Sequence, residues 1–210
     1  MWARIDDTGR CAEVTDADPA GRFHPSLRWE PVPDALRDWV DHRYVAVEGG
    51  GVAPPSPAYI RTQALERLTE RRWRAETGGL TMPDGARLLT RDRDKMLLNG
   101  ARDKALEEID ETVAASLANG GTAEDGRATG LALVHTVDLG GRPLTATNAQ
   151  FIAMARAIGT HVQSCFDRWG EIWHAIDAAE TWQDTVAVYA TEIDRGWPGS
   201  DAPSPEEGGA

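Results

Sequence analysis

The residue types able to do chemistry crowd into one stretch, QFIAMARAIGTHVQSCFDRWGEIWHAI, residues 150–176, which holds two histidines, a cysteine and two tryptophans. His161 and Cys165 stand four residues apart, so on a helix they point the same way. Such a pair suits a soft metal such as zinc, or a thiol activated by imidazole. Zinc needs two more ligands. His174 lies thirteen residues past His161, ~19 Å along a helix, too far to join. Cys11 would have to arrive from the other end of the chain. A reactive thiol wants a helix N-terminus or a nearby cation, and Cys165 is mid-helix. The spacing predicts neither a metal nor a redox centre.

Other stretches with chemical potential are weaker. TDADPAG places Asp16, Asp18 and Gly21 as in a calcium loop, but its twelfth position is Leu27, where a bidentate glutamate belongs. Gly49 to Gly51 precede no lysine–serine pair, so they are no phosphate loop. There is no nucleophile-elbow pattern and no zinc-protease histidine pair. Carboxylates are abundant, as a formal charge of −12 requires, and none stands out as half of an acid–base pair. ERRWRAE around Trp73 reads as a solvated helix end, with arginine stacking on the indole as the other reading. We therefore expect no catalytic residue, no cofactor and no small-molecule ligand; the chain reads as a protein other than an enzyme.

What remains in the long stretch is a packing pattern. Phe151, Ala155, Ile158, Val162, Cys165, Trp169, Ile172 and Ile176 follow one another at gaps alternating between four and three, the spacing of a heptad seam. On a helix it runs roughly 38 Å. Two outlets are open. The seam can pack on helices of its own chain, or meet copies of itself in a coiled-coil dimer or trimer. Trp169 is bulky for a two-stranded seam. Gly159 and Gly170 cost roughly 1 kcal/mol each against alanine in a helix, a cost that close approach or a bend would offset.

These residues must be positioned by the rest of the chain. MWARID and RCAEVT read as a strand pair turning at DDTGR, and YVAVE as a further β-prone run. DADPAGRFHPSLRWEPVPD carries four prolines and is no regular helix. Residues 1–48 thus read as a small β-rich docking module, and 49–56 (GGGVAPPS) as a flexible Gly/Pro linker. Ser56 and Pro57 start a helix that stops at Gly78 and Gly79. GLTMPDGARLLT is a hairpin turning at Pro83, Asp84 and Gly85. Thr90 is placed to cap a helix over about 92–118. NGGTAEDGRATG reads as a flexible loop, and LALVHTVDLGGRPLTAT as a second hairpin turning at Gly140 and Gly141. Thr147 with Gln150 forms a capping box for the long helix, and a shorter helix covers about 181–194. The fold class is α+β, with residues 57–197 a helical domain with two hairpins, and 198–210 a disordered acidic tail.

Bulk properties narrow the partners. The acidic surface disfavours nucleic acid and anionic lipid. No apolar run approaches the ~20 residues of a membrane span, and MWARIDDTGR predicts no secretion signal. With two cysteines so far apart, reduced thiols are expected. Tryptophan occurs eight times and is enriched at protein interfaces. Trp2, Trp29, Trp39 and Trp73 are the candidate partner contacts.

The order of motifs also resembles a known family. RWRAETGGLTMPDGARLLTRDRDK, LTATNAQFIAMARAIGTHVQSCFDRW, IDAAET and IDRGWP are similar, over about 73–198, to a domain of unknown function. That domain recurs near the C-terminal ends of tailed-bacteriophage tail and tail-fibre proteins. The leader through RWEPV resembles that of small phage tail proteins. The chain departs from the family at LVHTVDLGG, where tryptophan is common, and at TRDRDK, where a serine–glutamine pair commonly follows the aspartate. The resemblance implies a structural virion component at the tail tip, fibre or fibre-attachment site, made in the bacterial host cytoplasm. Its partners would be other phage tail proteins. It also raises a homotrimer, since tail fibres are commonly trimeric. The alternative role is a tail-fibre assembly chaperone, absent from the mature particle.

Overall fold

A computed structural model describes residues 1–82, 85, 87–139 and 142–199. The class is α+β, and the chain divides into two compact units. The first comprises Met1–Arg71 and Trp169–Arg195; the second comprises Arg72–Arg168 and the segment from Gly196.

The first unit opens with a three-stranded antiparallel sheet in the order β2 (Cys11–Thr15), β1 (Trp2–Ile5), β3 (Arg28–Pro31). Trp2 faces Thr15 on one side and Pro31 on the other. Alternation along β1 sends Ala3 and Ile5 into the interior. The turn after β1 is tied by Asp6, whose Oδ1 accepts from Thr8 N at 2.8 Å, Thr8 Oγ1 at 2.7 Å and Arg10 N at 3.0 Å, an Asx-type closure. The proline-rich segment holds β3, because Pro31 sits at the end of an edge strand, where its missing N–H costs no ladder bond.

Residues 49–56, expected as a flexible linker, are structured. β4 (Val45–Ala46) pairs with β5 (Val52–Ala53), and Val52 is buried. Gly51 makes the turn at φ 91° and donates its N–H to Glu30 Oε2 at 2.9 Å. The backbone uses glycine here to reach a left-handed turn that other residues rarely adopt. The division into units therefore falls within helices and not at this segment. α1 (Pro57–Thr77) begins at Ser56, whose Oγ accepts from Tyr59 N at 3.2 Å. Its Ile60, Ala64 and Leu68 recur every fourth residue and are fully buried. α5 (Trp182–Glu192) starts at a reciprocal cap between Thr181 and Asp184.

The second unit contains hairpins β6–β7 (Leu80–Thr81, Arg87–Leu88) and β8–β9 (Val134–Leu139, Arg142–Thr147). Most of the first expected turn, and the whole of the second, lie outside the described residues, as does the expected tail from residue 200. α2 (Asp92–Ala118) has the expected bounds. Its cap is a correction. Arg91 occupies the N-cap position and makes no side-chain cap bond. Thr90 is instead fully buried, accepting from Gly79 N at 3.0 Å and donating to the Glu76 carbonyl.

The larger correction concerns 119–130. The expected flexible loop contains α3 (Ala123–Ala132). Asp125 N donates to Thr122 Oγ1 at 3.1 Å, and Thr122 N donates to Asp125 Oδ2 at 3.3 Å, a reciprocal capping box. Gly126 and Gly130, which signalled a loop, are contact points against α2. A Cβ at Gly126 would lie 2.6 Å from Val113 Cα; one at Gly130 would lie 2.7 Å from Ile109 Cα. Small residues one turn apart let two helices approach closely.

α4 (Asn148–Asp177) is preceded by the Thr147–Gln150 box, with Thr147 N donating to Gln150 Oε1 at 2.8 Å. In the second unit its Phe151, Met154 and Ile158 join Leu88, Leu98 and Ala146 in one core cluster. Ile152 joins Ala105 and Ile109 in another.

Candidate functional site

The heptad seam lies on α4, and the chain covers it. Phe151, Ala155, Ile158, Cys165, Ile172 and Ile176 are buried; Val162 and Trp169 are half-buried. Val162 packs on the Leu98–Phe151 cluster. The Trp169 and Trp173 rings lie 6.4 Å apart.

The imidazole–thiol pair is part of this interior. His161 is buried, with Nε2 3.2 Å from the Ala75 carbonyl and 3.9 Å from Cys165 Sγ. Facing a carbonyl, Nε2 is the donor in that contact, and Nδ1 is buried with no hydrogen-bond partner among the described residues. Among the described residues no three of His, Cys, Asp or Glu converge as metal ligands. Neither cysteine forms a disulfide. No helix among them is long and apolar enough to cross a membrane.

The candidate tryptophans separate by exposure. Trp39 is buried, its ring edge-on to Tyr189 at 4.8 Å and covered by the Arg67 guanidinium at 4.1 Å. It is a core residue of the first unit, which removes it from the outward contacts. Trp2 is half-buried, and Trp29 is half-buried against Phe23 at 4.7 Å. Trp73 stands 56% exposed. The neighbouring arginine stacks elsewhere: Arg72 lies 4.2 Å over Phe166.

A polar junction in the second unit was not anticipated. Asn148 is fully buried; its Nδ2 donates to Glu108 Oε2 at 2.9 Å and to the Gly130 carbonyl at 3.0 Å. His135 Nε2 lies 2.6 Å from the same carboxylate oxygen. The Asn148 amide first, and His135 second, hold the Glu108 carboxyl below its ordinary range. One carboxylate thus links α2, α4 and β8, while Asn148 also reaches α3. The only hint in the sequence was the asparagine opening α4.

The same unit carries a cleft of about 550 Å³ between α2, α3 and α4. Leu106, Ile109 and Asp110 form one wall, and Arg127 and Leu131 another. Ala149, Ile152, Ala153 and Arg156 lie one turn after another along α4. The floor is apolar, and the rim bears one carboxylate and two exposed guanidiniums.

Fold and surface define an α+β protein in which His161 and both cysteines are interior while Trp73, Leu106 and Leu117 are exposed. The chain belongs to the family described as Domain of unknown function (DUF4376), which matches residues 59–193. No curated protein and no solved structure matches it.

Proposed function

We propose that this chain is a structural component of a bacteriophage tail, at the tail tip, fibre or fibre-attachment site, acting by protein–protein contact. The motif order over about 73–198, similar to that of a domain in tailed-phage tail and tail-fibre proteins, supports the setting. The observation that carries the contact role is how the apolar side chains divide. The seam and the imidazole–thiol pair are turned inward, while Trp73, Leu106 and Leu117 stand 46–56% exposed. A protein arranged this way offers surface for docking and little for turnover.

Mass spectrometry of purified particles tests the reading. The chain should be present at fixed stoichiometry with the other tail proteins. Its absence from particles, with abundance in the infected cell, would instead match an assembly chaperone and reject the structural role.

A further inference from the structure

We propose that Asn119 is a self-modification site: its side-chain amide is lost to attack by the Gly120 nitrogen, and the turn between α2 and α3 ages with it. The proposal does not rest on the tail reading. It starts from the stretch NGGTAEDGRATG, whose first two residues repeat a dipeptide found inside α2. Asn99 and Asn119 each precede a glycine, whereas Asn148 precedes Ala149 and is fully buried. The glycine matters because the attacking main-chain nitrogen then carries no side chain to block its approach.

The step needs no co-reactant other than water. The Gly120 nitrogen bonds to Cγ of Asn119, the Cγ–Nδ2 bond breaks, and the proton from Gly120 leaves with ammonia. The product is a cyclic imide. Water opens it at either carbonyl. One opening gives aspartate; the other gives isoaspartate, in which the main chain runs through the former side chain.

The structure separates the two dipeptides. Both are exposed, and a Cβ on either glycine would meet nothing within 4 Å, so shielding does not distinguish them. Backbone restraint does. Attack requires rotation about the Cα–C bond of the asparagine. Asn99 lies in the interior of α2, where that rotation breaks the helical ladder on both sides. Asn119 is the C-cap, at φ −95° and ψ 11°. There Gly120 N donates to the Leu117 carbonyl at 3.2 Å, and Asn119 Nδ2 to the Ala115 carbonyl at 2.9 Å. Both bonds belong to the last turn, which opens without unfolding the rest of the helix.

The position also gives the modification a consequence. Gly121 N donates to the Ser116 carbonyl at 2.9 Å, and with the Gly120 bond this makes a Schellman closure. Ser116 Oγ donates to the Thr122 carbonyl at 2.8 Å, and Thr122 caps α3. Isoaspartate adds one carbon to the main chain inside this turn. It also adds a carboxylate at the negative end of α2. The turn has no slack, since a Cβ at Gly121 would lie 2.6 Å from Ser116 Oγ. The closure is lost, and with it the seat of the α3 cap.

The test incubates the full chain in mildly alkaline water enriched in heavy oxygen, with peptide mapping by mass spectrometry. In the folded chain the label should enter residue 119 about tenfold or more faster than residue 99. In denaturant the two should react at similar rates, because only the fold distinguishes them. The isoaspartate form, separated by chromatography, should exchange its α3 amides about tenfold faster than the fresh chain. Equal labelling of the two asparagines in the folded chain, label at residue 119 confined to the denatured chain, or unchanged α3 exchange in the isoaspartate form would each overturn the proposal.

Discussion

A methyl group added at Gly126 and one added at Gly159 should act in opposite directions. At Gly126 the new Cβ meets the Val113 backbone at 2.6 Å, and at Gly130 it meets Ile109 Cα at 2.7 Å. Backbone cannot rotate away, so Gly126→Ala or Gly130→Ala should destabilise by about 1–3 kcal/mol, the usual range for overpacking. At Gly159 and Gly170 nothing lies within 4 Å. No close approach offsets their helical cost, so Gly159→Ala should stabilise by about 0.4–1 kcal/mol. Urea unfolding of the single variants checks both signs. Thr90 gives a third expectation. Thr90→Val keeps the shape but strands the Gly79 N–H and the Glu76 carbonyl, and should cost about 1–3 kcal/mol. The sequence shows each of these residues without showing its neighbours. A glycine in a loop and a glycine under another helix look alike there, and a threonine near a helix start looks like a cap.

Among the elements, those announced by reciprocal signals were legible. Threonine with glutamine at 147 and 150 sits at the observed start of α4, and the last helix begins where its bounds of about 181–194 were expected. The bounds of α2 followed from its apolar period and acidic first turn. α3 was hidden by its two glycines, although Thr122 and Asp125 supplied the same kind of signal with aspartate in place of glutamate. β3 and β5 were hidden because prolines and glycines flank them, and only pairing with a distant strand makes them strands. The cleft was the least legible feature, since Leu106, Arg127 and Arg156 come from three separate helices. The seam was the most legible, and its energetic weight is predictable. Ile176 is fully buried, so Ile176→Ala should cost about 2–5 kcal/mol, measurable as a lowered urea midpoint.

For the molecule as a whole, the charge balance sets a window of pH. Glu108 is held below its ordinary value by the Asn148 amide, Glu30 by the Gly51 N–H, and Asp6 by the Thr8 hydroxyl. The unfolded chain therefore takes up protons first as the solution acidifies. The stability from these groups is fully present above the ordinary carboxylate value of 4.5 and falls as pH drops through it. At the alkaline end the signs reverse. Burial raises Tyr44, Tyr59 and Tyr189 above their ordinary 10.0, and Cys11 above 9.0. The unfolded chain there loses protons first, so stability falls as pH rises past those ordinary values. Thermal melts should show a plateau from about pH 5.5 to 8.5 with losses on both sides; stability rising steadily toward pH 3 would contradict these assignments.

The account rests on α4 turning its seam into the chain's own core, which frees other faces for contact. Cys165, midway along that seam and fully buried, is its reporter. The measurement is the rate of thiol reaction in a Cys11→Ala variant, at a dilution where the chain sediments as a single copy. Cys165 should stay unreactive until denaturant unfolds the chain, and then react fully. Prompt, complete reaction of the native single copy would mean that the seam lies open and waits for a partner, contradicting the account.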